Sequence, residues 1–473
     1  MASLSYDESA HLLRRAGFGG PPEEIDDLSS RGREGAVDFL INFNQIDNSA
    51  MDTLLAASFN FSTPDGINNA EIRRWWFTRM VDTKRQFEEK MTLFWHNHFA
   101  TSSSKVQDVF MLNQNVLLRQ TSLDQFDNVL LKVSQDAAML IWLDNITNVL
   151  GKPNENFGRE LQELFTMGIK DVVTDEQNYT EQDVKEVARA FTGWNYRRQT
   201  PFTFQLNASQ HDNGSKSIYT GTPWAQTGNL SGEDVITIIS ARPATARYLT
   251  WKLFNFFVYP LTGSAADKAT IDRFAKVYLN NNHSIKELVR AIFTSDEFFS
   301  ERAFFSLVKQ PVELMVGAIR MLGGTFNQGT ATARGNSAIL QNSSRNMGQD
   351  LFAPPDVSGW DFNLGWVNTA SMLERFNFAN AYLTNRNTTN PGIFVTNDQL
   401  KSITKPSSKK TVKKFLARLG PLSVGNALGT LRTYLETGDN GQPVTYVNDD
   451  ATVDKKIRGL VHQIMSLPEF QLN

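Results

Sequence analysis

Apolar side chains recur at helical spacing along most of this 473-residue chain, and that periodicity constrains its fold more than any other feature. The longest run covers 68–100, where Ile72, Trp76, Met80, Phe87, Met91, Phe94 and Trp95 follow one amphipathic pattern. Local start signals agree. Ser5 and Glu8 form a capping-box pair ahead of Leu12 and Leu13, with Gly17 as a stop, and Thr180 with Asp183 repeats the device. Helices are also expected over 34–44, 105–118, 124–134, 155–168 and 181–193, then over 233–240, 244–258, 265–281 and 284–294. The remainder fall over 308–322, 369–385, 410–418, 421–436 and 452–466. The span 195–235 departs from the pattern. Its Thr, Asn, Ser, Gly and Gln, with a weak alternation at Phe202, Phe204 and Leu206, predict a long ordered loop. The expected fold class is mainly α: a large multi-helix globular fold with long irregular loops and at most a short β-hairpin.

A chain of this length can bury a full core, and 33 Phe with 9 Trp supply bulky filler for one. One compact helical unit over 1–473 is expected, with 1–235, 236–385 and 386–473 as the natural subdivision. Polar or Pro/Gly-rich stretches at 325–348, 353–368 and 386–410 carry little regular structure. The segment 288–298 echoes 460–470, each an amphipathic helix followed by Ser, an acidic residue and Phe. The echo is either a duplicated packing unit or a coincidence between two helix ends.

Composition removes several classes. A formal net charge of −3 gives no reason to expect nucleic acid as a partner. The absence of cysteine excludes disulfides, thiolate nucleophiles, iron–sulfur clusters and cysteine-bound zinc. No apolar run reaches the length of a membrane span, so no membrane insertion is expected. The first residues lack a basic segment and an apolar segment, so no signal peptide is visible and a cytoplasmic location is expected as the sequence stands. Phosphate loops, nucleophile elbows and the His-Glu-x-x-His zinc helix are likewise missing from the sequence.

Chemistry concentrates in a few segments. His96 and His98 sit in Phe94-Trp-His-Asn-His-Phe99. On a continuous helix they diverge by about 200°, so they meet at one ion only if the helix ends or distorts between them. The segment 154–168 has an apolar stripe of Phe157, Leu161, Leu164 and Phe165, and a second stripe of Asn156, Glu160, Glu163 and Met167. Two carboxylates one turn apart offer either metal ligands or an acid–base pair, unless that face is simply solvated. His211 and Asp212, followed by Lys216, fall in the irregular span, as a base with its orienting partner or as a turn before Gly214. Trp194, Trp360 and Trp366 offer indole surfaces for a binding rim, or for packing.

Together these segments resemble a bacterial family known as domain of unknown function 1800. The resemblance runs from His11-Leu-Leu-Arg-Arg-Ala-Gly-Phe-Gly19 to Pro468-Glu-Phe-Gln471. It takes in the His96 and Glu160 segments, 183–194, His211 with Asp212 and Lys216, Lys309-Gln-Pro-Val-Glu313 and Pro354-Pro-Asp-Val-Ser-Gly-Trp360. It implies a helical protein, export signals in many relatives, and a sulfatase-like protein encoded nearby as partner. The resulting expectation is a metal-dependent enzyme, hydrolase or oxidoreductase. His96, His98, Glu160, Glu163 and His211 would hold a divalent Zn, Mn or Fe ion. Glu160, Glu163, His211 and Asp212 would act in catalysis, while Arg159, Lys216, Trp194 and Trp360 would bind substrate. The alternative is a non-catalytic glycan- or partner-binding protein in which these polar groups fix helix packing.

Overall fold

Helices form wherever the sequence shows the period, and they stop where a side chain offers the backbone a better partner. A computed structural model describes residues 3–62, 67–327, 338–386, 392–420, 425 and 427–473, and these are mainly α-helical. The stretches 325–348, 386–410 and 421–436 lie partly outside the described residues; the first two, expected to carry little regular structure, hold helices at Ile339–Asn346 and Asn397–Ile403, and the expected helix of the third is described over Ala427–Leu435. Both capping boxes are formed, Ser5 with Glu8 and Thr180 with Asp183. No described helix is long and apolar enough to cross a membrane.

The pattern over 68–100 is two helices, Asn69–Asp82 and Gln86–His98. Thr83 interrupts it: its hydroxyl accepts the Arg85 amide at 2.9 Å, and Asn48 accepts the Lys84 amide at 3.1 Å. Local and tertiary hydrogen bonds here replace two rungs of the helical ladder, which apolar spacing alone does not reveal. The helix expected over 155–168 is Asn156–Glu163. Beyond it the Met167 and Gly168 amides both turn back to the Gln162 carbonyl, and Gly168 adopts φ +75°.

The span 195–235 holds two hairpins, where at most one was expected. Trp194–Tyr196 pairs antiparallel with Phe204–Leu206, placing Trp194 opposite Leu206, and Lys216–Ile218 pairs with Gln226–Gly228. A further pair joins Thr325–Asn327 to Gly392–Phe394. Gly193 makes the entry to the first hairpin at φ +78°, and a Cβ there would lie 2.6 Å from the Asn207 carbonyl oxygen. Only glycine satisfies both conditions.

The described residues group into two compact units, a division that follows packing rather than linear order. Unit 1 comprises Met1–Phe87, Phe299–Leu351 and Asp361–Asn473; unit 2 comprises Glu88–Phe298 and Phe352–Trp360. In unit 1 the Pro311–Leu322 helix packs on Asn69–Asp82, and Thr369–Thr384 packs on Arg458–Met465. In unit 2 the Pro243–Phe257 helix packs on Ala265–Asn280, around a core rich in aromatic rings. Trp95, Phe99 and Phe126 stack there, and the Trp95 indole N–H donates to the Ser122 carbonyl at 2.9 Å. The echoed segments fall one in each unit, and both end on a buried Phe, Phe298 and Phe470.

Candidate functional site

The Asn156–Glu163 helix in unit 2 buries Phe157, Gly158 and Leu161 and leaves Glu160 and Glu163 half-buried. Gly158 lets it press against the Glu181–Ala190 helix, since a Cβ there would stand 3.2 Å from the Ala188 amide nitrogen. Buried Gln162 donates to the Gly158 carbonyl and accepts the Tyr219 hydroxyl at 3.1 Å. Side chains also secure the carbonyls just past the helix end. Tyr248 donates to Leu164 at 3.1 Å, His98 Nε2 to Phe165 at 3.0 Å, and Asn178 Nδ2 to Met167 at 2.7 Å. Carbonyls near a helix end lack intrahelical donors, and these three side chains supply donors here.

The two carboxylates have different surroundings. Partial burial, reinforced by the charge of Glu163, holds Glu160 above the usual carboxylate range. Glu163 accepts the Tyr179 hydroxyl at 3.2 Å, and burial beside that carboxylate raises the Tyr179 phenol. The Tyr248 phenol is raised by burial and then by Glu163. Lys252, one turn further along the Pro243–Phe257 helix, is half-buried and forms no ion pair among the described residues, and desolvation lowers its ammonium. Sequence reading missed Tyr179 as a partner, along with Tyr248 and Lys252. Tyr179 directly precedes the capping residue Thr180 and was the one with a local signal.

The histidines occupy three separate settings. Buried His96 accepts the Phe352 amide on Nε2 at 3.1 Å, and its ring lies 5.3 Å from those of Phe352 and Trp360. His98 stacks on Phe94 and meets Phe99 edge-on. Burial pushes both imidazoles down to about 3, with the Lys252 charge adding to the effect at His98. His211 Nδ1 donates to the Thr192 carbonyl at 2.8 Å, while the Thr192 hydroxyl accepts the Asp212 amide.

Asp212 belongs to a clasp rather than to an imidazole. Arg189 forks onto its carboxylate at 2.8 and 3.3 Å and reaches Glu186 at 2.8 Å. That ion pair holds the Asp212 carboxyl below its ordinary value. Lys216 is buried, and its ammonium donates to the Asp212 and Gly214 carbonyls at 2.6 and 3.1 Å. Asp212 therefore fastens the loop to the Glu181–Ala190 helix, His211 fastens it to Thr192 just past that helix, and Lys216 braces the loop's own carbonyls. Arg159 forms a two-pronged pair with Glu181 at 2.7 and 2.8 Å. Trp194 is buried edge-on to Phe191 and Phe204, and Trp360 is buried beside His96; Trp366, in unit 1, is buried as well.

Among the described residues, no three His, Asp or Glu side chains gather where they could hold a metal ion. His96 Nε2 and His98 Nε2 are engaged by backbone groups, and Glu160 and Glu163 alone fall short of the three protein ligands that a catalytic zinc takes. A cavity of about 340 Å³ lies in unit 1 between Leu13, Leu28, Phe39 and Lys84, and none of the candidate ligand, catalytic or substrate-binding residues lines it.

No curated protein and no solved structure matches the chain. The family model described as "Protein of unknown function (DUF1800)" matches residues 11–472, nearly the whole length. The chain belongs to that family.

Proposed function

We propose that unit 2 carries the acid–base site of a hydrolase, with Glu160 as general acid and Glu163 as general base. The observation that carries this reading is the unequal environment of two carboxylates on one helix face. Glu160 is biased toward its protonated form, while Glu163 is oriented by the Tyr179 hydroxyl. Placing two carboxyls in unlike surroundings is how enzymes assign acid and base roles. In the step proposed, Glu163 takes a proton from water as the water oxygen bonds to the electrophilic atom. The bond to the leaving oxygen breaks, and that oxygen takes the proton from Glu160.

The test begins with chromogenic ester, glycoside and phosphoester substrates. For any that is turned over, Glu160→Gln and Glu163→Gln each lower kcat/KM by about 10²- to 10⁴-fold. The signs of the pH limbs follow from the roles. Activity needs Glu160 protonated, so it falls as pH rises through the raised pKa, and Glu160→Gln abolishes that limb. Stoichiometric metal in protein prepared without chelator, lost in the double variant, would replace this reading with the metal-dependent one. Turnover that both variants retain would remove the carboxylate pair from catalysis. The alternative of a partner-binding protein, with the sulfatase-like protein as occupant, draws on apolar side chains Phe362, Leu364, Val367 and Leu373, which are exposed within twelve residues of chain.

A further inference from the structure

Four cationic side chains are buried in unit 1, and among the described residues two carboxylates act on them, Glu313 and the exposed Asp7 beside Arg14. Arg14 and Arg15 lie on the Tyr6–Ala16 helix, Lys309 precedes the Pro311–Leu322 helix, and Arg375 lies on Thr369–Thr384. Their exposures are 5%, 1%, 3% and 2%. Glu313 is the carboxylate whose charge acts on Arg15, Lys309 and Arg375. Its Oε2 already accepts the Gln310 amide at 2.9 Å and the Asn473 side chain at 3.0 Å. Arg14 repels both Arg15 and Lys309.

The hydrogen bonds of these cations go to neutral acceptors. Arg15 Nη2 donates to the Ala303 carbonyl at 2.5 Å and the Ser306 hydroxyl at 3.0 Å. Lys309 Nζ donates to the Phe470 carbonyl at 2.6 Å. Arg375 donates to the Lys309 carbonyl at 2.8 Å and to Gln471 at 3.2 Å. Five donor nitrogens stay buried with no acceptor among the described residues: Nε and Nη2 of Arg14, Nε and Nη1 of Arg15, and Nε of Arg375. A buried charge without a partner is strongly unfavourable, and unpaired guanidinium N–H groups are the usual complement of an oxyanion. The Arg14 guanidinium also sits 5.1 Å from the centre of the Phe305 ring.

We propose that unit 1 binds a small doubly charged oxyanion, phosphate or sulfate, through Arg14, Arg15, Lys309 and Arg375. The anion supplies the charge that buried Glu313 and exposed Asp7 leave unmatched among four cations, and its oxygens accept from the unpaired guanidinium nitrogens. None of these residues belongs to the carboxylate site of unit 2, so the two readings stand or fall separately.

The test compares sodium phosphate and sodium sulfate with sodium chloride at matched ionic strength, by calorimetry and by the thermal midpoint of the full-length protein. Phosphate or sulfate is expected to bind saturably at millimolar concentrations or below and to raise the midpoint. Phenyl phosphate and phenyl sulfate in parallel arms show whether a free ion or an esterified group is accepted. Arg14→Met is expected to weaken binding at least tenfold. In chloride it should melt no lower than the wild type, because it removes an unmatched charge rather than a bond. A purely structural arginine predicts the reverse, a lower midpoint in chloride and no response to either anion. Equal heats and midpoints for the wild type in all the salts overturn the proposal, and they do so whether or not Arg14→Met folds.

Discussion

Glu89→Ala is expected to lower the unfolding free energy by about 3–5 kcal/mol, a large share of the roughly 5–15 kcal/mol that a domain holds. Glu89 is fully buried on the Gln86–His98 helix and receives Arg119 in a two-pronged pair at 2.7 and 2.8 Å. Arg119 Nη2 also donates to Asn115 Oδ1 at 2.8 Å, so the guanidinium is fixed in place and cannot follow the lost carboxylate to water. Most of the loss comes from keeping the Arg119 charge buried without the Glu89 carboxylate, not from the pair's own attraction. The double variant Glu89→Leu/Arg119→Met should therefore recover most of the stability that Glu89→Ala loses. Urea unfolding midpoints measure both. A loss below about 1 kcal/mol, the range of an exposed pair, would mean that the site is open to water.

Acid should destabilise unit 2 through His96 and His98. Both are neutral in the fold, with pKa values pushed to about 3, whereas an unfolded histidine titrates near pH 6.5. Above about pH 6.5 neither state binds the proton and the shift has no effect. Below it the unfolded chain takes up protons that the fold refuses. Each histidine then lowers stability by on the order of 1.4 kcal/mol per pH unit, until the folded pKa is reached. Asp136 opposes one of them. Burial raises its carboxyl to about 7, against donors from Ala138, Met139 and Gln114, so the fold gains a proton there on the same descent. The net loss attributable to these three groups is roughly 3 kcal/mol between pH 6.5 and 4.5. His98→Gln keeps a donor for the Phe165 carbonyl while removing the titration. It should flatten the pH dependence by about 1.4 kcal/mol per unit. An unchanged slope would show that His98 protonates freely in the folded protein.

What could be read from the sequence was what is local in the chain. The two capping boxes each join residues three apart, and the pairing of Glu186 with Arg189 one turn apart is also formed, at 2.8 Å. The helical class followed from periodicity, and the family from motifs spread over the whole length. The roles of the polar motifs were not readable because their partners are distant. The His211 acceptor lies 19 residues away, the Tyr219 hydroxyl reaches Gln162 across 57, and the Phe352 amide reaches His96 across 256. Lys216 shows why residue type misleads. A lysine in a polar loop reads as a cation available to hold substrate, yet this one is buried with its ammonium against carbonyls. The tryptophans offered as rims are core for a related reason: an indole signals burial as readily as recognition, and spacing does not separate the two.

The division of the chain also imposes an order on its synthesis. The residues of unit 2 up to Phe298 are contiguous and leave the ribosome together, whereas the first 87 residues belong with partners that begin only at Phe299. At about 5–20 residues per second, that early segment waits on the order of 10–40 s for the Pro311–Leu322 helix on which Asn69–Asp82 packs. During that interval Ile72, Trp76, Phe77 and Met80, all wholly buried in the finished protein, have no complete core to enter. The nascent chain thus carries a transient apolar surface whose lifetime is set by translation rate, and chaperone demand should track the speed of decoding between codons 88 and 298.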